Sequence, residues 1–139
     1  MSKLIVALFT ATLVAAALPA GAAELTIAIQ DVASAEGQIM VALYNGDDAF
    51  RSKPLRALSV PAAAGVMQVR IKDLPAGDYA FAIYHDANGN GKLDRNPLGM
   101  PSEDYAFSNN AAGKRGPPEF EQARVSLPAG GATSAINLR

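Results

Sequence analysis

The sequence predicts an all-β fold: a single antiparallel β-sandwich of about seven strands carrying one long ordered loop. Two observations predict it. Short runs alternate apolar and polar residues with a period of two, which is the strand signature. Between the runs stand turn formers: Asn45-Gly46-Asp47-Asp48, Ala64-Gly65, Leu74-Pro75-Ala76-Gly77 and Pro128-Ala129-Gly130-Gly131. These residues break regular structure for steric reasons. After an initial apolar stretch, no segment keeps a helical period for three turns. Residues 47–52 predict one short helical turn.

The elements follow in order. Leu25, Ile27 and Ile29 share one face of a first strand, with Glu24, Thr26 and Gln30 opposite. Ile39, Val41 and Leu43 repeat the pattern. Residues 54–60 read as a weaker strand, placed at an edge because a proline cannot donate to a ladder. Met67, Val69 and Ile71 alternate with Gln68 and Arg70. Tyr79, Phe81 and Ile83 alternate with Ala80 and Ala82, so this strand is predicted to be central and covered on both faces. Pro75 suits the second position of a type I turn leading into it, and Gly77 the fourth. Ala123, Val125 and Leu127 alternate with Gln122, Arg124 and Ser126. Ile136 and Leu138 close the chain.

Residues 86–119 break the alternation and are rich in Gly, Asn and Pro. A loop of this length in a compact domain is functional or disordered. Leu98, Met100, Tyr105, Phe107 and Phe120 supply too many anchors for a solvated linker, so an ordered loop is expected. Its first part carries the chemistry. In Asp86-Ala87-Asn88-Gly89-Asn90-Gly91-Lys92-Leu93-Asp94, oxygen-bearing side chains recur at alternate positions, then Gly, then a later Asp. This matches positions 1, 3, 5, 6 and 9 of an EF-hand-type loop. Calcium takes six to eight oxygens at short range, and a tight loop turns alternate side chains inward to supply them. The expected ligands are Asp86, Asn88, Asn90, the Lys92 carbonyl and Asp94. Position 12, usually a bidentate Glu, is Pro97 here, and Glu103 or Asp104 is expected to close the shell by folding back. With two carboxylates in the loop, affinity is expected to be on the order of 10⁻⁴ to 10⁻³ M. Glu103, Asp104, Tyr105 and Phe107 form a second candidate surface, for a small ligand or glycan, within residues 95–119.

The start of the chain predicts export. Lys3 precedes an uncharged run over residues 4–18, and Ala20-Gly21-Ala22-Ala23 supplies small-residue cleavage sites. Charge, apolar core and small-residue exit in that order define a signal peptide, here residues 1–23. The run is short for a membrane span, so no transmembrane segment is expected after cleavage. The remaining 116 residues form one domain, 24–139, with a net charge of −2. That balance points to no nucleic-acid partner. The chain has no Cys and one His, His85, which excludes a thiol nucleophile and a His-rich zinc site. His85 reads as a hydrogen-bonded residue at the core edge, and no enzyme is expected.

Leu74-Pro75-Ala76-Gly77-Asp78-Tyr79 resembles the step into a core strand of transthyretin-like and carboxypeptidase-regulatory-like sandwiches. The predicted sandwich is thus transthyretin-like or immunoglobulin-like. A wider set covers essentially the whole mature chain. It comprises residues 84–94, then Asn96-Pro97-Leu98-Gly99-Met100-Pro101, Tyr105-Ala106-Phe107-Ser108-Asn109-Asn110 and Gly116-Pro117-Pro118-Glu119-Phe120. It resembles the bacterial family catalogued as domain of unknown function 2141. That resemblance implies a small secreted or periplasmic protein of Gram-negative type and implies no activity. The function expected is an exported, non-enzymatic binding module with a calcium-ordered loop. Its rivals are a small-ligand or glycan binder using loop 95–119, and an accessory domain docking on a cell-envelope partner through an open sheet edge.

Overall fold

A computed structural model describes residues 23–47, 49–114 and 116–139; the predicted leader lies outside them, apart from Ala23. Among the described residues eight strands form two sheets: β1 (Ala23–Val32), β2 (Gln38–Asn45), β3 (Arg56–Pro61), β4 (Gly65–Leu74), β5 (Gly77–Asp86), β6 (Tyr105–Phe107), β7 (Val125–Leu127) and β8 (Ala132–Asn137). One sheet has the order β4-β1-β8. The other runs β3-β2-β5-β6, with β7 also paired to β5. Every pair is antiparallel except β1 with β8, which is parallel. The last strand comes back from the opposite sheet rather than through a hairpin, so period-two patterning could not give its direction. Among the described residues no helix is long and apolar enough to cross a membrane.

The alternation places the core where it was expected. Leu25, Ile27 and Ile29 of β1 and Ile39 and Leu43 of β2 are fully buried between the sheets, with Phe81 and Ile83 of β5 and Ile136 of β8. Each such side chain contributes about 1.5–3 kcal/mol by leaving water. Ala80 on the opposite face of β5 is buried too, against a second cluster of Tyr44, Phe50, Phe120 and Ala123. Phe50 meets Tyr44 and Phe120 edge to face, at 5.6 and 5.9 Å between ring centres. The β5 strand is therefore central and covered on both faces. The β3 strand lies at the expected edge, but it begins at Arg56, so Pro54 precedes it instead of sitting in its ladder.

The turn before β5 is tied down by Tyr79, whose hydroxyl donates back to the Pro75 carbonyl at 2.5 Å. Burial pushes that hydroxyl's pKa up, and Arg56 pulls it down by a lesser amount. This is the bond of a tyrosine corner, a feature of β-sandwiches.

Two local expectations change. Residues 87–114 do not form one continuous loop; they contain a strand, β6, and a 3₁₀ turn, Ser108–Asn110. The alternation over 122–127 is a strand only from Val125. Phe120–Ala123 is a single helical turn, α1, at whose start Gln122 Oε1 accepts the Glu119 N–H at 2.9 Å. Both β6 and β7 lie on the same edge of β5, the first against residues 82–84 and the second against 77–79. Ser108 fills the gap between them. Its fully buried hydroxyl accepts the Phe81 N–H at 3.0 Å and donates to the Ala123 carbonyl at 2.5 Å. Ser108→Ala orphans both groups and is expected to cost about 1–3 kcal/mol in urea unfolding. Exposed Ser126→Ala should stay within about 0.5 kcal/mol.

The seams between the sheets are bridged. On one side Tyr105 and Arg139 exchange backbone bonds at 3.0 and 3.3 Å. On the other, the Arg56 guanidinium donates to the Lys72 and Asp73 carbonyls at 3.4 and 3.1 Å.

Candidate functional site

The ten-residue β5 delivers Asp86 to the rim of the sandwich, where the chain leaves the sheet. Asp86 is buried, with 2 % exposure. Its Oδ2 accepts the Gly91 N–H at 2.8 Å, and its Oδ1 accepts that of Asn90 at 3.2 Å. Asn88 Oδ1 accepts the Asn90 N–H at 3.2 Å, and Asn90 Oδ1 the Lys92 N–H at 2.9 Å. Each oxygen of the alternating set thus folds back over the backbone ahead of it and winds the chain into a tight coil. Gly91, at position 6 of the loop pattern, has φ +76°, a conformation that a side chain disfavours.

Asp94 faces this coil. Its carboxylate accepts both amides, Asn88 Nδ2 at 2.5 Å and Asn90 Nδ2 at 2.6 Å. The Asn90 bond, then the Asn88 bond, with smaller help from Glu103 and Lys92 and against the effect of burial, hold its pKa below the usual carboxylate range. The folded state gains stability from this above the ordinary carboxylate pKa and loses it as pH falls through the lowered value.

Glu103 closes the coil. Its Oε1 accepts the Asp94 N–H at 2.9 Å and its Oε2 the Ala87 N–H at 3.1 Å, so one side chain clasps both ends. The two candidates for closure are thereby separated. Asp104 contributes its backbone carbonyl to the His85 N–H at 2.9 Å, outside the coil. Tyr84 lies beneath, its hydroxyl donating to the Gly91 carbonyl at 3.2 Å. Burial raises the Tyr84 pKa, and Asp86, Glu103 and Asp94 raise it further. Those carboxylates therefore act on a single point. None of the three joins an ion pair among the described residues; the pairs there are Arg70–Glu24, Arg124–Asp78 and Arg124–Glu121.

The turn between β1 and β2 braces the start of the coil. His85 is buried, and its Nε2 lies 2.6 Å from the Glu36 carbonyl. A carbonyl only accepts, so this nitrogen carries the proton. Gly37, at φ +65°, lies against the Asp86 and Ala87 carbonyls. The sequence shows Gly37 as an unremarked glycine; only the tertiary fold brings it to the site.

Among the described residues no group of three or more His, Cys, Asp or Glu side chains could hold a metal by itself. A cation here would draw on amide and backbone oxygens as well as carboxylates. That mixture is what calcium accepts and zinc does not.

Tyr105 and Phe107 lie beside the coil on the outer face of β6. A groove of about 480 Å³ runs past them, lined also by Leu93, Met100, Pro101 and Pro117. A second groove of about 410 Å³ takes in Glu103, Asp104, Tyr105, Asn137 and Arg139. The two rings stand edge to face, 83° apart at 6.2 Å. They form an aromatic corner and not a flat double platform.

Fold and coil together define a small all-β sandwich with an oxygen-lined loop at the end of a central strand. The chain belongs to the bacterial family described as "Uncharacterized protein conserved in bacteria (DUF2141)", whose model matches residues 27–135 and so includes every residue of the coil. No curated protein and no solved structure matches the chain.

Proposed function

We propose that this protein is an exported, non-enzymatic β-sandwich binding module whose loop 86–94 takes a calcium ion with low affinity. One observation carries the reading. Asp86, Asn88 and Asn90 wind their side-chain oxygens into one coil, Asp94 faces them, and Glu103 clasps the ends. A hairpin turn needs one Asx residue to bend the chain. Three in series, opposite a carboxylate that no cationic side chain pairs, supply more oxygen than a turn requires. Asn88, Asn90 and Asp94 would hold the ion, the two amides turning oxygen toward it in place of their present bonds to Asp94, since an Asn presents either nitrogen or oxygen. Glu103 takes the role that Pro97 vacates at position 12.

The export part of the reading rests on the three-part pattern of residues 1–23, and the site is periplasmic or extracellular. The non-enzymatic part is supported by His85, whose Nε2 is engaged in bracing a turn. A second reading, a small-ligand or glycan binder, is supported by the grooves beside Tyr105. Bridging of both seams favours neither sheet edge as a docking strand.

The ion reading is tested by thermal unfolding. An ion that binds only the folded state stabilises by about 1.4 kcal/mol at tenfold excess over its Kd. The midpoint should rise with millimolar calcium and rise less with magnesium, which demands a smaller octahedral shell. Asp73→Asn is the control, because Asp73 has φ +59° and Asn tolerates that conformation. It should keep the full calcium shift. An unchanged wild-type midpoint up to about 10 mM calcium, above the weak-site range, would give the ligand-binding reading first place.

A further inference from the structure

Beyond the ion loop, residues 94–103 form a small hairpin whose tip is built unlike an ordinary solvated loop. Its base is closed by the Ser102 N–H donating to the Asp94 carbonyl at 2.8 Å and by a bridge between Arg95 and Pro101. At the tip stand Leu98, 85 % exposed, and Met100, 60 % exposed, between Pro97 and Pro101. Large apolar side chains held in water on a fixed turn mark a contact surface.

The backbone of the tip is self-satisfied. The Asn96 N–H donates to the Met100 carbonyl at 2.8 Å and the Gly99 N–H to the Asn96 carbonyl at 2.9 Å. Asn96 Oδ1 accepts the N–H of both Leu98 and Met100 at 3.0 Å. Pro97 and Pro101 have no N–H to place. From 96 to 101, four of six residues spend their donors inside the hairpin, Pro97 and Pro101 having none. A solvated loop gains little from this, since water satisfies its amides. A loop entering hydrocarbon requires it, because unpaired donors there cost several kcal/mol each.

Charge points the same way. Lys92, at the base of the hairpin, and Arg95 are exposed, and Arg95 also fixes the tip by donating to the Gly99 carbonyl at 2.9 Å. The nearby carboxylates of Asp94 and Glu103 are turned onto amides of the coil. Two apolar side chains are too few for a standard protein interface of roughly 800 Å² per partner. They suit shallow insertion at a bilayer surface, where buried apolar area and attraction to anionic lipids act together.

We infer that the 94–103 hairpin docks on an anionic lipid bilayer, inserting Leu98 and Met100 while Lys92 and Arg95 meet lipid phosphates. This goes beyond the calcium reading and does not depend on it, because hydrogen bonds within residues 94–103 hold the hairpin.

Flotation with vesicles of equal parts phosphatidylglycerol and phosphatidylethanolamine tests it, using the chain from Ala23 onward, which contains every described element. The wild-type protein should float with these vesicles and far less with pure phosphatidylcholine. The double variant L98Q/M100Q should partition roughly tenfold more weakly or worse, from the loss of two inserted side chains. Its thermal midpoint should not change, since both residues are exposed. K92Q should weaken flotation and leave the remainder less sensitive to salt than the wild type, Arg95 alone then meeting phosphate. Equal flotation of wild type and L98Q/M100Q would overturn the inference, as would no flotation of the wild type. So would a wild type that ignores vesicles but forms an envelope-protein complex lost in the double variant, which would assign the tip to a protein pocket.

Discussion

Phe81→Ala is expected to cost about 3–5 kcal/mol of unfolding free energy, the usual range for a buried aromatic truncated to alanine. Phe81 is fully buried in β5, between β2 on one side and the β6–β7 edge on the other. Its side chain fills the space between the sheets, and its N–H is held by Ser108. The neighbouring positions cannot collapse into the cavity, because they belong to strands fixed by ladders on both flanks. Chemical denaturation at constant slope measures the loss. A loss below about 1 kcal/mol would mean that the strand phase is wrong.

Gly37→Ala is expected to cost about 2–5 kcal/mol, through two additive causes. A residue at φ +65° pays for the left-handed conformation once it carries a β-carbon. That carbon would also fall inside contact distance of the Asp86 carbonyl oxygen and 2.7 Å from that of Ala87. Both obstacles are backbone, so relief requires moving the coil itself, the situation of an overpacked core. The substitution should therefore reduce the calcium response as well as stability. A variant that loses less than about 0.5 kcal/mol and responds normally to calcium would show that the β1–β2 turn does not brace the coil.

The two effects mark what was legible in the sequence. Period-two alternation located the core strands down to individual buried residues, because a strand with one face inside must place Leu25, Ile27 and Ile29 together. It fixed neither pairing nor direction, so the parallel β1–β8 contact was not readable. The three residues of β6 are too few to show a period. Their strand exists because β5 offers an unpaired edge, which is a tertiary fact. The helical turn at 120–123 was hidden by the alternation of Ala123, Val125 and Leu127, although the Glu119-to-Gln122 spacing carries a capping signal.

The coil was legible for the same physical reason that it winds: Asx side chains bend the backbone locally, so their spacing is written in consecutive residues. Its clasp and brace were not. Glu103 lies nine residues past Asp94, and nothing local distinguishes it from Asp104; the Arg95–Pro101 hairpin between them decides which carboxylate turns inward. Glu36 and Gly37 reach the site only because β2 pairs with β5, in a register that sets Gln38 against Asp86.

Calorimetric titration of calcium into the chain from Ala23 onward, beside Asp86→Ala, tests the central claim most directly. Asp86 is the buried carboxylate from which the coil is wound. The wild type is expected to bind one ion with a Kd on the order of 10⁻⁴ to 10⁻³ M, and Asp86→Ala to show no binding in that range. Heat of mixing alone from the wild type, or equal binding by both proteins, would contradict calcium at residues 86–94.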